Sequence, residues 1–437
     1  MKLLKKSTIL PLVAIIVVLG AVGFSYGLEI TVVLPEKPET GFIRSRMPIF
    51  EEDTGVNIFL TTYAEGLYRE HVISDLVAGA GTYDIAAVDS VHIPMLAEAG
   101  MIEPIEEIFE VGEKIKEYNP LVLDTLSHED TLYALPYTRE VSLLFYRKDL
   151  FDELGLKAPQ TFAEIESHAE KLYHFPDIYP FAARAAAGEG NNVFSWTHLL
   201  HAFGGEFFDA DMEPVFDSEE AVAATEQYAD LLEVFAPEPL TELDQWRIET
   251  MFALGAIGMT IESHDLYGRL ESPVLSRVAG NVGYAQVPEG PAGRYPGNRI
   301  FGLVAASHEP PEIGNPGEEE RHEALESFLH WVTSREMEQD MWNLASITSS
   351  CRDDFFMDSD FQERVRNDWL EATLESFEQT SLDFRPHITE WYMVGDRFSI
   401  ALEGVVAGMH TAREALTWER EHLLEERERM QMIEENE

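Results

Sequence analysis

Three short apolar runs near the start of the chain do most to limit its fold. Residues 29–34 (EITVVL), 56–62 (VNIFLTT) and 83–88 (YDIAAV) read as buried strands, and residues 41–53 and 68–78 between them have helix-like spacing. Strand, helix and strand in alternation predict parallel pairing through right-handed crossovers, the mark of an α/β chain. Residues 132–146 hold two apolar strand halves joined through Pro136, and 258–263, 281–287 and 301–307 read as further buried strands. A loop rich in glycine and proline, 288–297, separates the last two. Capping boxes, Thr161 with Glu164 and Asp217 with Glu220, open two helices. From Glu318 the pattern stays helical almost to the end, broken near 346–352 and at Arg385–Pro386. Residues 411–437 mix Glu and Arg as a solvated helix does.

The chain has 437 residues, a length for two or three units or one two-lobed body, and its 45% hydrophobic content supplies real cores. It sets 31 Lys and Arg against 80 Asp and Glu, a net charge of −49, which excludes partners with phosphate backbones and anionic membrane surfaces. Nine of the basic residues are Lys, none after Lys171. Acid excess with few lysines predicts adaptation to high salt, where screening removes the self-repulsion; a protein that stayed folded without added salt would count against it. The single cysteine, Cys351, cannot close an internal disulfide and reads as a buried structural residue.

The N-terminus reads as an export signal. Lys2, Lys5 and Lys6 precede an apolar run over 9–22, with small residues at Ser25 and Gly27 for cleavage. Residues 1–27 are thus expected to leave, and with them three Lys and no acid, taking the charge from −49 to −52. The alternative is an uncleaved anchor, since 7–28 carry no charge. Either way the body works outside the cytoplasmic membrane.

Catalytic motifs are scarce: there is no GxSxG, HExxH, Walker loop or GxGxxG after a strand. His198 and His201, one helical turn apart, could share a metal, but no third ligand stands at matched spacing, so packing is the expected role. No catalytic residue, metal or cofactor is expected.

The order of segments says more. Residues 79–104 read GAGTYDIAAVDSVHIPMLAEAGMIEP, followed by LYALPYTREVSLLFYRKDLFDELGL, APQTFAE, WTHLLHAFGGEFFD from Trp196, GAIGMTIES and RPHITEWYMVGDRFSIALEGVVAG. Together these resemble the extracellular solute-binding proteins of family 1, the substrate-capturing subunits of ABC importers for sugars, from about residue 29 to about 416. The stretch FAARAAAGEGNNVFSW further resembles the branch for monosaccharides, polyols or short oligosaccharides. The resemblance implies a two-lobed periplasmic-binding-protein fold of type II, with three hinge crossings and the ligand in a cleft between the lobes. The crossings are expected at 135–138, 284–288 and 344–349. Lobe one would be residues 28–136 and 288–345, and lobe two 137–287 and 346–437. A monomer serving an ABC permease is implied.

A sugar needs planar aromatics for its C–H faces and fixed polar groups for its hydroxyls. Parallel sheets place such groups in loops at the carboxyl ends of strands. The candidates by position are Tyr63, with Glu65 nearby, and Asp89 and Ser90, with His92 nearby. Arg139 and Glu140 adjoin the first crossing, Arg184 and Asn192 precede Trp196, Glu262 and His264 end the GMTIES strand, and Asn298 and Arg299 follow the glycine loop. Trp196 could instead be core, Arg184 a structural ion pair and Asp89 a helix cap, while His264 stands where relatives commonly carry Trp. The several arginines also fit a sugar acid, though a neutral sugar or polyol ranks first. Competing readings are a receptor for a polyamine or metal, and a secreted saccharide hydrolase. A polyamine would need Asp89, Glu140 and Glu262 to converge while the arginines face away.

Overall fold

The computed structural model describes residues 28–108, 114–307, 317–381 and 384–434; the export segment read at 1–27 lies outside them. Its strands are β1 (Glu29–Pro35), β2 (Asn57–Tyr63), β3 (Ile85–Asp89), a hairpin of β4 (Ser127–His128) and β5 (Thr131–Leu132), β6 (Leu135–Arg147), β7 (Met259–Ser263), β8 (Val282–Gln286) and β9 (Asn298–Ala305). β1 lies parallel to β2, with Val32 opposite Leu60, and parallel to β3, with Val32 opposite Ile85. Helices Pro38–Thr54 and Glu65–Ala78 make the crossovers, as the alternation predicts. β9 then runs antiparallel to both β3 and β6.

β6 joins the two halves of the molecule. Its first part pairs with β9, from Leu135 opposite Leu303 to Val141 opposite Asn298. From Ser142 it pairs with β7, and from Leu143 also with β8. The sequence predicts two halves meeting at Pro136, whereas the structure holds one 13-residue strand. A register shift between Pro136 and Thr138 accommodates the missing N–H of the proline as a bulge. The change of partner falls later, between Val141 and Ser142.

The buried side chains separate accordingly. One core takes residues from 30–135 and 300–351, the other mainly from 143–287 and 342–423, with Val91 reaching into it from beyond β3. Of the two capping boxes, Thr161 accepts the Glu164 N–H at 3.1 Å as expected. The second is displaced by one residue: Ser218, not Asp217, caps helix Glu219–Phe235 by accepting from the Ala221 N–H. A short hydroxyl satisfies the first-turn donors as well as a carboxylate does. The helix Arg335–Ala345 ends on Ser346, and the extended segment after it runs beside β6, where the Arg139 N–H donates to the Ser349 carbonyl.

Candidate functional site

A cavity of about 440 Å³ opens between residues of the first core and the segments 186–191 and 244–246 on the other side. On one side stand Asp89 at the end of β3, His92 just beyond it, Arg299 and Phe301 on β9, and Arg69 on helix Glu65–Ala78. On the other are residues 188–191, with Asp244, Gln245 and Trp246 at the start of helix Gln245–Ala253. The carboxyl ends of the parallel strands thus face the cavity, where loops can diverge without disturbing the sheet.

Its rear wall is a buried ion cluster. Arg385 donates to both Asp89 oxygens, at 2.9 and 3.0 Å, and to Glu189 Oε1 at 2.6 Å. Arg299 Nε donates to Asp89 Oδ2 at 2.9 Å, and Trp391 Nε1 donates to Glu189 at 3.2 Å. Asp89 and Arg299 belong to the first sheet, while Glu189, Arg385 and Trp391 come from the other side. Burial alone would raise the Asp89 carboxyl, but Arg385 and Arg299 outweigh it and hold it below the ordinary range. Glu189 is likewise lowered, by Arg385 against burial. Two carboxylates and two guanidiniums leave the cluster electrically balanced. A second cross-connection, Arg69 with Asp396, stands nearby. His92 is buried and burial pushes it down to about 4, so it is neutral; its ring nitrogens bond no described protein group.

Close approach matters at two glycines. A Cβ on Gly190 would stand 3.1 Å from Arg299 Nη2, and one on Gly395 would fall 2.7 Å from Glu189 Cγ. A side chain at Gly395 would force Glu189 to shift, and one at Gly190 would crowd the Arg299 guanidinium.

Of the residues proposed from sequence, Asp89, Arg299 and the nearby His92 line this cavity, and the first two meet each other. The others lie elsewhere. Trp196 is fully buried, donates to Thr225 Oγ1 at 2.8 Å and packs on Phe207 and Phe398, so it is a core residue, because the apolar helix Phe194–Ala202 turns its indole inward. Arg184 and Glu262 pair with each other, Arg184 Nε reaching both oxygens at 3.0 and 3.2 Å, and both are buried away from the cavity wall. Arg184 also donates to the Gly190 carbonyl, so it supports the wall from behind. Glu140 pairs with Lys37, and the Arg139 guanidinium lies over Phe377 at 4.0 Å and 3.4 Å from Asp353. His264 accepts the Val141 N–H at Nδ1, faces the Thr348 carbonyl through Nε2 and stacks on Trp369. It is thus a neutral strut between β6 and the segment after Ser346, and burial pushes it down to about 4.

Asn192 donates to the Ser399 carbonyl at 2.7 Å, and Asn298 is buried opposite Val141. Ser90 meets His387 at 3.2 Å, and Tyr63 shares a hydrogen bond with Tyr83 and stacks on His71. His198 and His201 each meet a backbone carbonyl, of Tyr295 and Phe384. Among the described residues no group of three or more metal-capable side chains occurs. Cys351 is buried, its thiol pushed up to about 12 by burial.

Sequence reasoning missed Arg385, Glu189, Arg69 and Trp246. Glu189 and Arg385 stood inside quoted motifs, but nothing local singles them out from the other acids and arginines. Trp246 had a weak signal: an indole at the first turn of a helix rather than on its buried face.

A family model described as "Bacterial extracellular solute-binding protein" matches residues 36–339. A mannitol-binding protein of Pseudomonas aeruginosa is 25% identical over 292 residues, 66% of this chain and 64% of the relative, so the chain spans less than two thirds of that relative's length. Among solved structures, a solute-binding protein of Agrobacterium radiobacter in complex with ribitol superposes with a TM-score of 0.82 at 24% identity, covering 91% of this chain and 98% of that one. One of Agrobacterium vitis with bound D-mannitol gives 0.79 at 22%, covering 92% and 99%. The fold is therefore that of the two-lobed type II binding proteins.

Proposed function

We propose that this chain, which belongs to the bacterial extracellular solute-binding proteins, captures a neutral polyol or small sugar outside the cytoplasmic membrane and delivers it to an ABC permease. The observation that carries the reading is this cavity, walled by an ion cluster of zero net charge. Ligand hydroxyls both donate and accept, so they match a wall of fixed carboxylates and guanidiniums. A sugar acid would need a guanidinium fork turned to it, while Arg385 is spent on Asp89 and Glu189. A polyamine would need acids in surplus, yet Glu140 and Glu262 each carry their own cation elsewhere. The relatives that bind mannitol and ribitol support the same class of ligand.

The protein binds without chemistry. Ligand touching both sides favours the closed form by as much as those contacts exceed hydration, and the permease reads that form. The two cores correspond to the lobes, with residues 1–27 as the export signal and the mature protein acting as a monomer. No described helix is long and apolar enough to cross a membrane.

Titration calorimetry with ribitol, mannitol, neutral hexoses, a uronate and spermidine tests this. Binding of the neutral compounds, recovered unchanged after overnight incubation, is expected. Binding of the uronate or spermidine alone, or of nothing in the panel, overturns it.

A further inference from the structure

Three aromatic side chains line the described wall of the cavity: Tyr68, Phe301 and Trp246. A ring can stack against a ligand only if one of its faces is open. Tyr68 is buried, and its hydroxyl is bonded to the Val33 and Ala87 carbonyls. Phe301 is buried too, with Lys37 at 5.2 Å and Arg299 at 4.6 Å from its ring centre. Trp246 differs on every count. It is 69% exposed, a large apolar surface left in water, where indoles are normally mostly covered.

The indole is also held. Arg269 lies against the ring, 4.6 Å from its centre. Arg269 in turn donates to Thr250 Oγ1 at 2.9 Å and reaches Glu249 at 3.4 Å, both on the same helix as Trp246. The cation therefore occupies one side of the indole and leaves the other free. The ion cluster walls the same cavity, and its groups match hydroxyls and offer nothing to C–H. Recognition of a polyhydroxylated carbon chain needs both surfaces.

We infer that Trp246, pre-positioned by Arg269, is the stacking platform of this site and selects ligands that lay a contiguous C–H face on the indole while their hydroxyls meet the Asp89–Arg299 wall. The inference rests on the proposed capture of a polyol or sugar. Trp246 touches the ligand; Arg269 is a positioning residue acting through it.

The test pairs affinity with fluorescence. The chain has seven tryptophans, of which Trp196, Trp369, Trp391 and Trp342 are buried. Trp331 is partly buried against the first core, and Trp418, the other strongly exposed one, packs at a tilt on His422 in the C-terminal helix, away from the cavity. Mannitol or ribitol should therefore shield part of the wild-type emission from acrylamide, and W246F should lose that shielding. W246A should bind about tenfold more weakly, W246F within about threefold, as stacking of this size requires. If W246A binds as the wild type does, or W246F is still shielded by ligand, the inference falls and the proposed function stands. If the wild type binds no polyol or sugar, both fall.

Discussion

The two ends of β3 carry the same chemistry in different settings. Before its first residue, Asp84 accepts the Thr31 N–H at 2.7 Å and Arg321 Nε at 3.2 Å, while Arg321 also reaches Glu103 and the Ala306 carbonyl. At its last residue, Asp89 is gripped by Arg385 and Arg299. Each end thus has an aspartate held by a buried arginine that bonds a second carboxylate. The partners at the first end all belong to one core, so no motion of one lobe against the other strains them. At the second, Arg299 shares the sheet with Asp89 while Arg385 comes from the other side, so opening the cleft must part Arg385 from Asp89. A carboxylate–guanidinium pair is weak evidence of stability by itself, since desolvation offsets attraction; what matters is which bodies it joins.

Acid should be the largest perturbation, and it tests which groups lead. His92, His198 and His264 are all pushed down to about 4 by burial, against about 6.5 in the unfolded chain. Their folded state resists protonation, so their contribution is full above pH about 6.5 and is lost as pH falls towards 4, at about 1.4 kcal/mol per pH unit for each imidazole. Asp89, held below its ordinary range, keeps its contribution above the unfolded value of about 3.9 and loses it only at still lower pH. The unfolding free energy from urea titrations should therefore lose several kcal/mol to the imidazoles between pH about 6.5 and 4, offset in part by the Glu249 carboxyl, which burial pushes up to about 8 and which takes up its proton in the folded state as pH falls. A flat profile down to pH 4 would show that the buried imidazoles do not govern it.

The contrast between the strand ends is broken or sharpened by removing each arginine. R385M leaves Glu189 without its cation and Asp89 with Arg299 alone, a loss of about 3–5 kcal/mol for a broken buried pair. Opening the cleft relieves it, so ligand affinity should drop at least about a hundredfold by calorimetry. R321M should cost about 2 kcal/mol of unfolding free energy, since Asp84 and Glu103 keep some contact with water. Its affinity should stay within about twofold, a difference of about 0.4 kcal/mol. Equal affinity losses in the two variants would erase the distinction. The smallest effect on binding is expected from T225V, which orphans the Trp196 indole N–H and should lower stability by about 1–3 kcal/mol with affinity unchanged.

Much of this was legible in the chain. The run YDIAAV is β3, and reading the residue after its last valine as a site position leads to Asp89. The glycine loop likewise leads to Arg299 at the start of β9. Position along a strand is a local property, so those two could be reached. Glu262 came from the same kind of reasoning and lies behind the wall, because a residue near a strand end can still turn inward; Trp196, suggested by the resemblance, is turned into the core by its helix. Arg385 stands 296 positions from Asp89, and among 22 arginines nothing in its neighbours marks it.

By itself, then, the sequence determined the α/β class, the strand and helix order, the family and the acidic exterior, because periodicity, capping and composition act over a few residues or over the whole. Only the tertiary structure decided which carboxylates share an arginine, which indole is buried and which stays open, and where β6 changes sheets. Those depend on the meeting of segments hundreds of residues apart, and the energy of a buried charge is set by the partners that packing brings to it.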